Sequence, residues 1–306
     1  MRHFLIALGV LLLAGFFFLW TPDQKRETLA QRYKTEGMRF LQLSDSQVRI
    51  SESGSNNPEV LVLLHGFGSS LETWDDWVKP LSSRYRVIRC DMVGFGLSGP
   101  ASMRDYSDEA DVRRIAEMLD QLHLDKVTLI GHSLGGRVAW NFAARFPART
   151  NKLVLIAPDG FPDLKTVGEH TYALPQFAKL MKYVLPSFLV KQSMAPAYSD
   201  PHHMTDAIVQ RYQDMLTAPG VRQALMDRMQ QTMNTDPTER LKSITAPTLL
   251  MWGENDAMIP VENSLSYLKI MPQAKRVVIP KLGHLLFEEA PTKTLSVLTE
   301  FLEMNS

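Results

Sequence analysis

The sequence predicts an α/β fold: a mostly parallel sheet with helices on both faces, extended by an inserted helical cap and an N-terminal membrane helix. Short apolar runs alternate with helical patterns along most of the chain, as they do where helices cover both sides of a sheet. Runs such as Val60-Leu61-Val62-Leu63-Leu64 are apolar throughout, the mark of strands buried on both faces. Two further strand patterns, Thr248–Met251 and Arg276–Ile279, lead straight into loops that carry an Asp and a His.

Taken in order, the chain begins with Phe4 to Trp20, an uncharged apolar run long enough, as a helix, to approach the thickness of a bilayer's hydrocarbon. It ends Phe16-Phe17-Phe18-Leu19-Trp20-Thr21-Pro22, without the small-x-small site of a cleaved leader. Residues 1–20 are therefore expected to stay as a transmembrane signal-anchor, with Trp20 at the interface. Residues 21–35 are polar and read as a juxtamembrane linker, and residues 36–306 as one folded domain. Strand patterns follow at Arg39–Leu43, Gln47–Ile50, Val60–Leu64 and Arg86–Cys90. A helix is expected after Ser107, with Asp108, Glu109 and Asp111 at the positive end of its dipole and Val112, Ile115, Ala116, Leu119 and Leu122 on one face.

Val127–Ile130 reads as the next strand and Arg137–Ala144 as a helix, with Gly131-His132-Ser133-Leu134-Gly135-Gly136 between them. After the strand Leu153–Ile156 the alternation stops. From about 159 to 240 helical patterns are broken by Pro162, Pro175, Pro186, Pro196, Pro201 and Pro219, which marks the cap. One cap helix is expected to carry Phe177, Leu180, Met181, Val184 and Leu185 on a stripe. The cap also holds Met181, Met194, Met204, Met215, Met226, Met229 and Met233, flexible side chains that suit an adaptable apolar pocket, although packing is the default role for any one of them.

The turn between strand and helix carries Gly-x-Ser-x-Gly, in which flanking glycines let the backbone bend sharply enough to expose a strained serine. A serine hydroxyl is a weak nucleophile until a base takes its proton. His284, in Gly283-His284, and Asp256, in Trp252-Gly253-Glu254-Asn255-Asp256, each follow a strand in the manner such a base and its orienting acid require.

On His65-Gly66-Phe67-Gly68, Asp91-Met92-Val93-Gly94-Phe95-Gly96-Leu97-Ser98, the Ser133 turn, the Asp256 loop and Gly283-His284, the chain from about Met38 onward resembles the α/β-hydrolase superfamily, in its serine esterase and lipase form with a helical cap. The chain order Ser, Asp, His is the one that arrangement requires. The resemblance implies a catalytic triad of Ser133, Asp256 and His284, and an oxyanion hole from the backbone N–H groups of Phe67 and Leu134. It also implies that Asp91 is a structural aspartate. Asp159 is the alternative triad acid, because some members place the acid after the strand that precedes it. Glu254 shares the Asp256 loop, and Glu288 and Glu289 are expected to serve the first turn of the last helix electrostatically.

The implied activity is hydrolysis of carboxylic esters with moderately apolar acyl groups through an acyl-enzyme, on a small-molecule ester or lipid-like substrate. Alternatives are a carbon–carbon hydrolase of vinylogous diketones of the meta-cleavage-product type, an acyltransferase, or a membrane-tethered binding module that keeps only the fold.

Other signals are weak. Gly94-Phe95-Gly96-Leu97-Ser98-Gly99 satisfies a dinucleotide pattern, but Pro100 follows where a helix should open. His202-His203 lacks the spacing and carboxylate of a zinc site and is expected at the surface. No cofactor or metal is expected. With 33 basic and 33 acidic residues, the chain offers no electrostatic footprint for nucleic acid. Its single cysteine, Cys90, excludes an internal disulfide and reads as a small buried hydrophobe. The catalytic domain is expected on the exported side of a membrane, held by a single-pass anchor, because a long following domain is translocated largely regardless of flanking charge.

Overall fold

The structure, a computed structural model, describes residues 3–4, 15, 19–161, 167–168 and 176–304. Eight strands form one sheet: β1 (Arg39–Gln42), β2 (Gln47–Ser53), β3 (Val60–Leu64), β4 (Arg86–Cys90), β5 (Val127–His132), β6 (Thr150–Ile156), β7 (Thr248–Gly253) and β8 (Lys275–Ile279). Their order across the sheet is β1-β2-β4-β3-β5-β6-β7-β8. β2 runs antiparallel to β1 and β4, and every pair from β4 onward is parallel. Parallel pairing puts the C-terminal ends of β3, β5, β7 and β8 on one edge, where the loops carrying the candidate residues begin.

Side chains alternate through the sheet into two apolar layers. From β3, Val62 and Leu64 enter one layer with Ile88, Leu129, Trp140, Phe142 and Trp252, while Leu61 and Leu63 enter the other with Trp74, Trp77, Ile130, Met251 and Phe287. The period-two alternation explains why both faces of a central strand such as β3 had to be apolar. Cys90 is buried among the first set, as its apolar setting predicts.

Helices α2 (Asp75–Ser82), α3 (Asp108–Gln121), α4 (Leu134–Arg145), α9 (Asn263–Ile270), α10 (Leu286–Glu289) and α11 (Pro291–Glu303) surround the sheet. α3 starts where its acidic first turn indicates, with the Ser107 hydroxyl accepting the Ala110 N–H at 3.2 Å. The Gly94–Gly99 stretch is a tight turn with positive φ at Gly94, Gly96 and Gly99 rather than the opening of a helix.

Between β6 and β7 lie α5 (Ser187–Met194), α6 (Asp206–Leu216), α7 (Val221–Gln231) and α8 (Thr238–Lys242), the cap. The long amphipathic stripe expected there is instead a 3₁₀ turn over Gln176–Lys182, because prolines bound the segment at 175 and 186. Leu180 and Met181 are exposed and Leu185 is buried; the side chain of Phe177 lies outside the described residues. His202 and His203 are exposed.

Most of the expected membrane anchor, residues 1–20, also lies outside the described residues. Among the described residues, no helix is long and apolar enough to cross a membrane. The expected linker, residues 21–35, is a docked strap. Helix α1 (Arg26–Arg32) buries Leu29 completely against the first core layer. The strap is held to the cap by Thr21 N–H to Tyr183 O at 2.8 Å, Gln24 N–H to Thr217 O at 2.9 Å, and Arg222 to Asp23 at 2.5 Å. Buried Asp214 of α6 accepts from Gln24, Arg32 and Tyr33 at 2.7, 2.6 and 2.8 Å. Burial would raise its carboxyl pKa, but these hydrogen bonds hold it below the usual value.

Candidate active site

Ser133 ends β5 and opens α4 with φ 52° and ψ −118°, a conformation that a side-chain-bearing residue adopts only when its surroundings enforce it. Two glycines make this bend feasible. A Cβ on Gly131 would lie 2.3 Å from Gly135 O, and one on Gly135 would lie 2.3 Å from Leu64 O and 2.5 Å from His65 O. The turn is pinned by Ser133 N–H to Ile156 O at 3.0 Å, and the Ser133 carbonyl accepts from Arg137 and Asp159 N–H, both at 3.0 Å.

His284 follows β8, and its Nδ1 lies 2.8 Å from Asp256 Oδ2. Asp256 follows β7; its Oδ1 accepts the N–H groups of Met258 and Ile259 at 2.9 and 2.8 Å. A carboxylate fixed by two amides and facing Nδ1 selects the tautomer in which Nδ1 carries the proton and Nε2 is free to accept one. His284 and Ser133 line the same two cavities, so the three residues that lie far apart in the chain converge at the sheet's C-terminal edge. Asp159, the alternative acid, takes a different partner. Its Oδ2 lies 3.4 Å from Arg137 Nη1, although the residue also lines one cavity beside Ser133.

The amide of Leu134 is the first in α4, where N–H groups have no intrahelical acceptor and the helix dipole favours negative charge. Phe67 sits in the loop after β3 and lines both cavities. Neither amide donates to another backbone group among the described residues. The loop is set by His65, whose Nε2 accepts the Met92 N–H at 3.0 Å and whose Nδ1 lies 2.7 Å from Gly66 O. Burial lowers the His65 pKa, consistent with a neutral ring that accepts at one nitrogen and donates at the other.

Several contributors escaped the sequence reading. Asp91 does hold loops together, accepting Leu71 N–H at 2.8 Å and Leu97 N–H at 2.7 Å, but its charge is matched by buried Arg49, 2.7 Å away. The available signal was an Arg between Val48 and Ile50 in a strand pattern. Glu288 and Glu289 lie in the first turn of the four-residue α10, ahead of α11, and also brace the site. Glu289 accepts Gly283 N–H at 2.7 Å and Ser199 N–H at 3.0 Å, locking the histidine loop to the cap, and Glu288 binds Arg211 at 2.6 Å and Tyr198 at 2.6 Å. His132 packs its ring on that of His284, centroids 4.5 Å apart, with Nε2 3.1 Å from the His284 carbonyl. Burial, and then the nearby His284, press its pKa well below the ordinary value.

Two cavities meet at Ser133 and His284 and share Phe67, Met229 and Met258. The larger, about 440 Å³, is walled by apolar side chains, including the cap's Met181, Met194, Met226 and Met229. Met204 and Met215 are packed in the interior instead. The second, about 380 Å³, is more polar and includes Asp159, Arg228, Thr232 and Asn263. Among the described residues no cluster of His, Cys, Asp and Glu could hold a metal ion.

A family model described as alpha/beta hydrolase fold matches residues 59–291. A 2-hydroxy-6-oxo-2,4-heptadienoate hydrolase of Pseudomonas putida is 30% identical over 274 residues, covering 84% of this chain and 92% of its own. A 2-hydroxy-6-oxononadienedioate/2-hydroxy-6-oxononatrienedioate hydrolase of Comamonas testosteroni is 29% identical over 250 residues, covering 79% and 86%. The crystal structure of a bacterial membrane phospholipase A superposes with a TM-score of 0.73 at 23% identity, covering 99% of this chain and 98% of that one; at that identity the likeness speaks for the fold alone. A strained serine on a strand-to-helix turn, the sheet order and the matched family model agree, and the chain belongs to the alpha/beta hydrolase family.

Proposed function

We propose that this hydrolase cleaves carboxylic esters of moderately apolar acyl groups, with Ser133 as nucleophile, His284 as general base and acid, and Asp256 as the acid that orients it. The observation that carries the reading is the Asp256-bound imidazole and the strained Ser133 on the wall of an apolar cavity of about 440 Å³. The Ser133 Oγ attacks the ester carbonyl carbon as His284 Nε2 takes its proton, and the oxyanion is held by the N–H groups of Phe67 and Leu134. Collapse breaks the carbonyl–oxygen bond, and His284 returns the proton to the departing alcohol. Water, deprotonated by the same imidazole, then releases the acid from Ser133.

The carbon–carbon reading is favoured by the relatives, two of which are named for hydrolysis of dienoates and dienedioates. Ester hydrolysis ranks ahead because those substrates bring carboxylates, and the arginines lining the two cavities already have carboxylate partners. Arg222 binds Asp23 and Thr21 O, and Arg228 binds Asp111 and Val93 O. Both guanidiniums are already charge-paired, so a carboxylate in the cleft would meet no uncompensated cation to offset its desolvation, only the unpartnered Nε–H of Arg228. Steady-state rates on nitrophenyl esters of short and medium acyl chains, set against a ring-cleavage dienoate, test the choice. Ester turnover well above dienoate turnover is expected, and turnover of the dienoate alone overturns it.

For placement in the cell, we propose that residues 1–20 form a single-pass signal-anchor and that residues 36–306, with the cap at about 159–240, lie on the exported side. The support is the uncharged run Phe4–Trp20 and the docked strap that follows it, which would hold the cap close to the bilayer. Carbonate extraction of membranes and protease protection of the intact chain test both halves.

A further inference from the structure

The polar cavity is left unexplained by an apolar acyl group. Its hydrogen-bonding capacity is lopsided. Among the described residues Asp159 uses its carboxylate only on Arg137, 3.4 Å from Oδ2, and its side chain is 34% exposed. The Thr232 hydroxyl spends its proton on Arg228 O at 2.8 Å and can only accept. Asn263, at the first position of α9, has no side-chain partner among the described residues. Arg228, the cation on that wall, is bound through its terminal nitrogens to Asp111 at 2.5 Å and to Val93 O at 3.0 Å, and its buried Nε has no partner among the described residues.

We infer that this lobe selects esters whose alcohol part carries neutral hydroxyl groups, a glycerol-like leaving group, with Asp159 and Thr232 accepting its hydroxyl protons and Asn263 donating back. The inference rests on the ester reading above and adds the class of alcohol. An acceptor-rich wall rewards donors, and a hydroxyl supplies one where a methyl or ethyl group supplies none. A phosphate brings no donor and sets its charge against the Asp159 carboxylate, while the charge of Arg228 is already balanced by Asp111. A cationic alcohol fits poorly as well, because Arg137 and Arg228 already balance the carboxylates around the lobe. The two lobes meet at Ser133 and His284, so an ester bond placed there divides an apolar chain from a hydroxylated headgroup.

The test compares kcat/KM for 1-octanoylglycerol, methyl octanoate and 1-octanoylglycerol 3-phosphate on the full chain, wild type and Asp159→Asn, with Asn263→Ala as a second variant and melting curves to establish folding. We expect the glyceryl ester to exceed the methyl ester roughly tenfold, to exceed the phosphorylated ester by more, and the glyceryl-to-methyl ratio to fall toward one in both variants. A wild-type ratio near one, a ratio that neither variant changes, or preference for the phosphorylated ester overturns the inference while leaving ester hydrolysis standing. No turnover of any of the three overturns both.

Discussion

The Nε2 of His132 lies 3.1 Å from the backbone carbonyl of His284, so the residue before the nucleophile holds the loop of the base. The two rings also pack against each other, tilted at 53°. Because burial keeps His132 neutral, its Nε2–H can serve as a steady donor without adding charge beside an imidazole that must itself become charged in each cycle.

Removing that donor should disturb the base more than the binding of substrate. His132→Phe is expected to lower kcat about tenfold, the worth of roughly one buried hydrogen bond, with a smaller change in KM. His132→Gln, whose amide nitrogen reaches about where Nε2 sits, is expected to recover most of the loss. Steady-state kinetics on one nitrophenyl ester decides it, and equal rates for Phe and wild type would remove His132 from any positioning role.

The same burial makes folding pH-dependent. Imidazoles in the unfolded chain protonate near pH 6.5, whereas His132 and His65 do so only at lower pH when folded. Between those values the unfolded state binds more protons, so stability rises with pH. The contribution is therefore fully present above about pH 6.5 and is lost as the pH falls toward the folded-state values. Urea unfolding between pH 7 and pH 5 should show a shallower fall in stability for His132→Gln than for wild type.

Asp91 and Arg49 form a fully buried ion pair that also receives two backbone amides. Asp91→Ala would strand the guanidinium, with only Glu72 to answer it, and is expected to cost about 3–5 kcal/mol. Chemical denaturation measures this directly. A loss below about 1 kcal/mol would mean the pair does little for the loops that it joins.

Asp256→Asn should keep the fold yet lose most of the rate, because an amide in place of the carboxylate no longer selects the Nδ1-protonated tautomer. A fall of about 10³- to 10⁴-fold in kcat is expected. The corresponding Asp159→Asn change should be far milder on a nitrophenyl ester, since Asp159 lies on Arg137 rather than on His284. The reverse ranking would make Asp159 the triad acid.

Much of this was legible because apolar periodicity is local. Val60–Leu64 and Arg86–Cys90 are strands over the same residues that the pattern marks, and the Ser133, Asp256 and His284 loops start where those patterns stop. What stayed hidden depends on polar side chains that meet across long stretches of chain. Gln24 finds Asp214 at a separation of 190 residues, and no spacing rule relates them. The strap therefore reads as a linker, Glu289 as a helix-opening charge, and His132 as the variable letter of a serine motif. The cap's methionines divide for a similar reason: which of them face the cleft depends on how short, proline-bounded helices pack, and that is tertiary information.

The most direct measurement is the intact mass and peptide map of the protein after exposure to a fluorophosphonate. One adduct on the peptide that carries Ser133, absent in Ser133→Ala and slowed in His284→Ala, is the predicted result. A wild-type protein that stays unmodified, or an adduct that persists in Ser133→Ala, would contradict the assignment of Ser133 as an activated nucleophile.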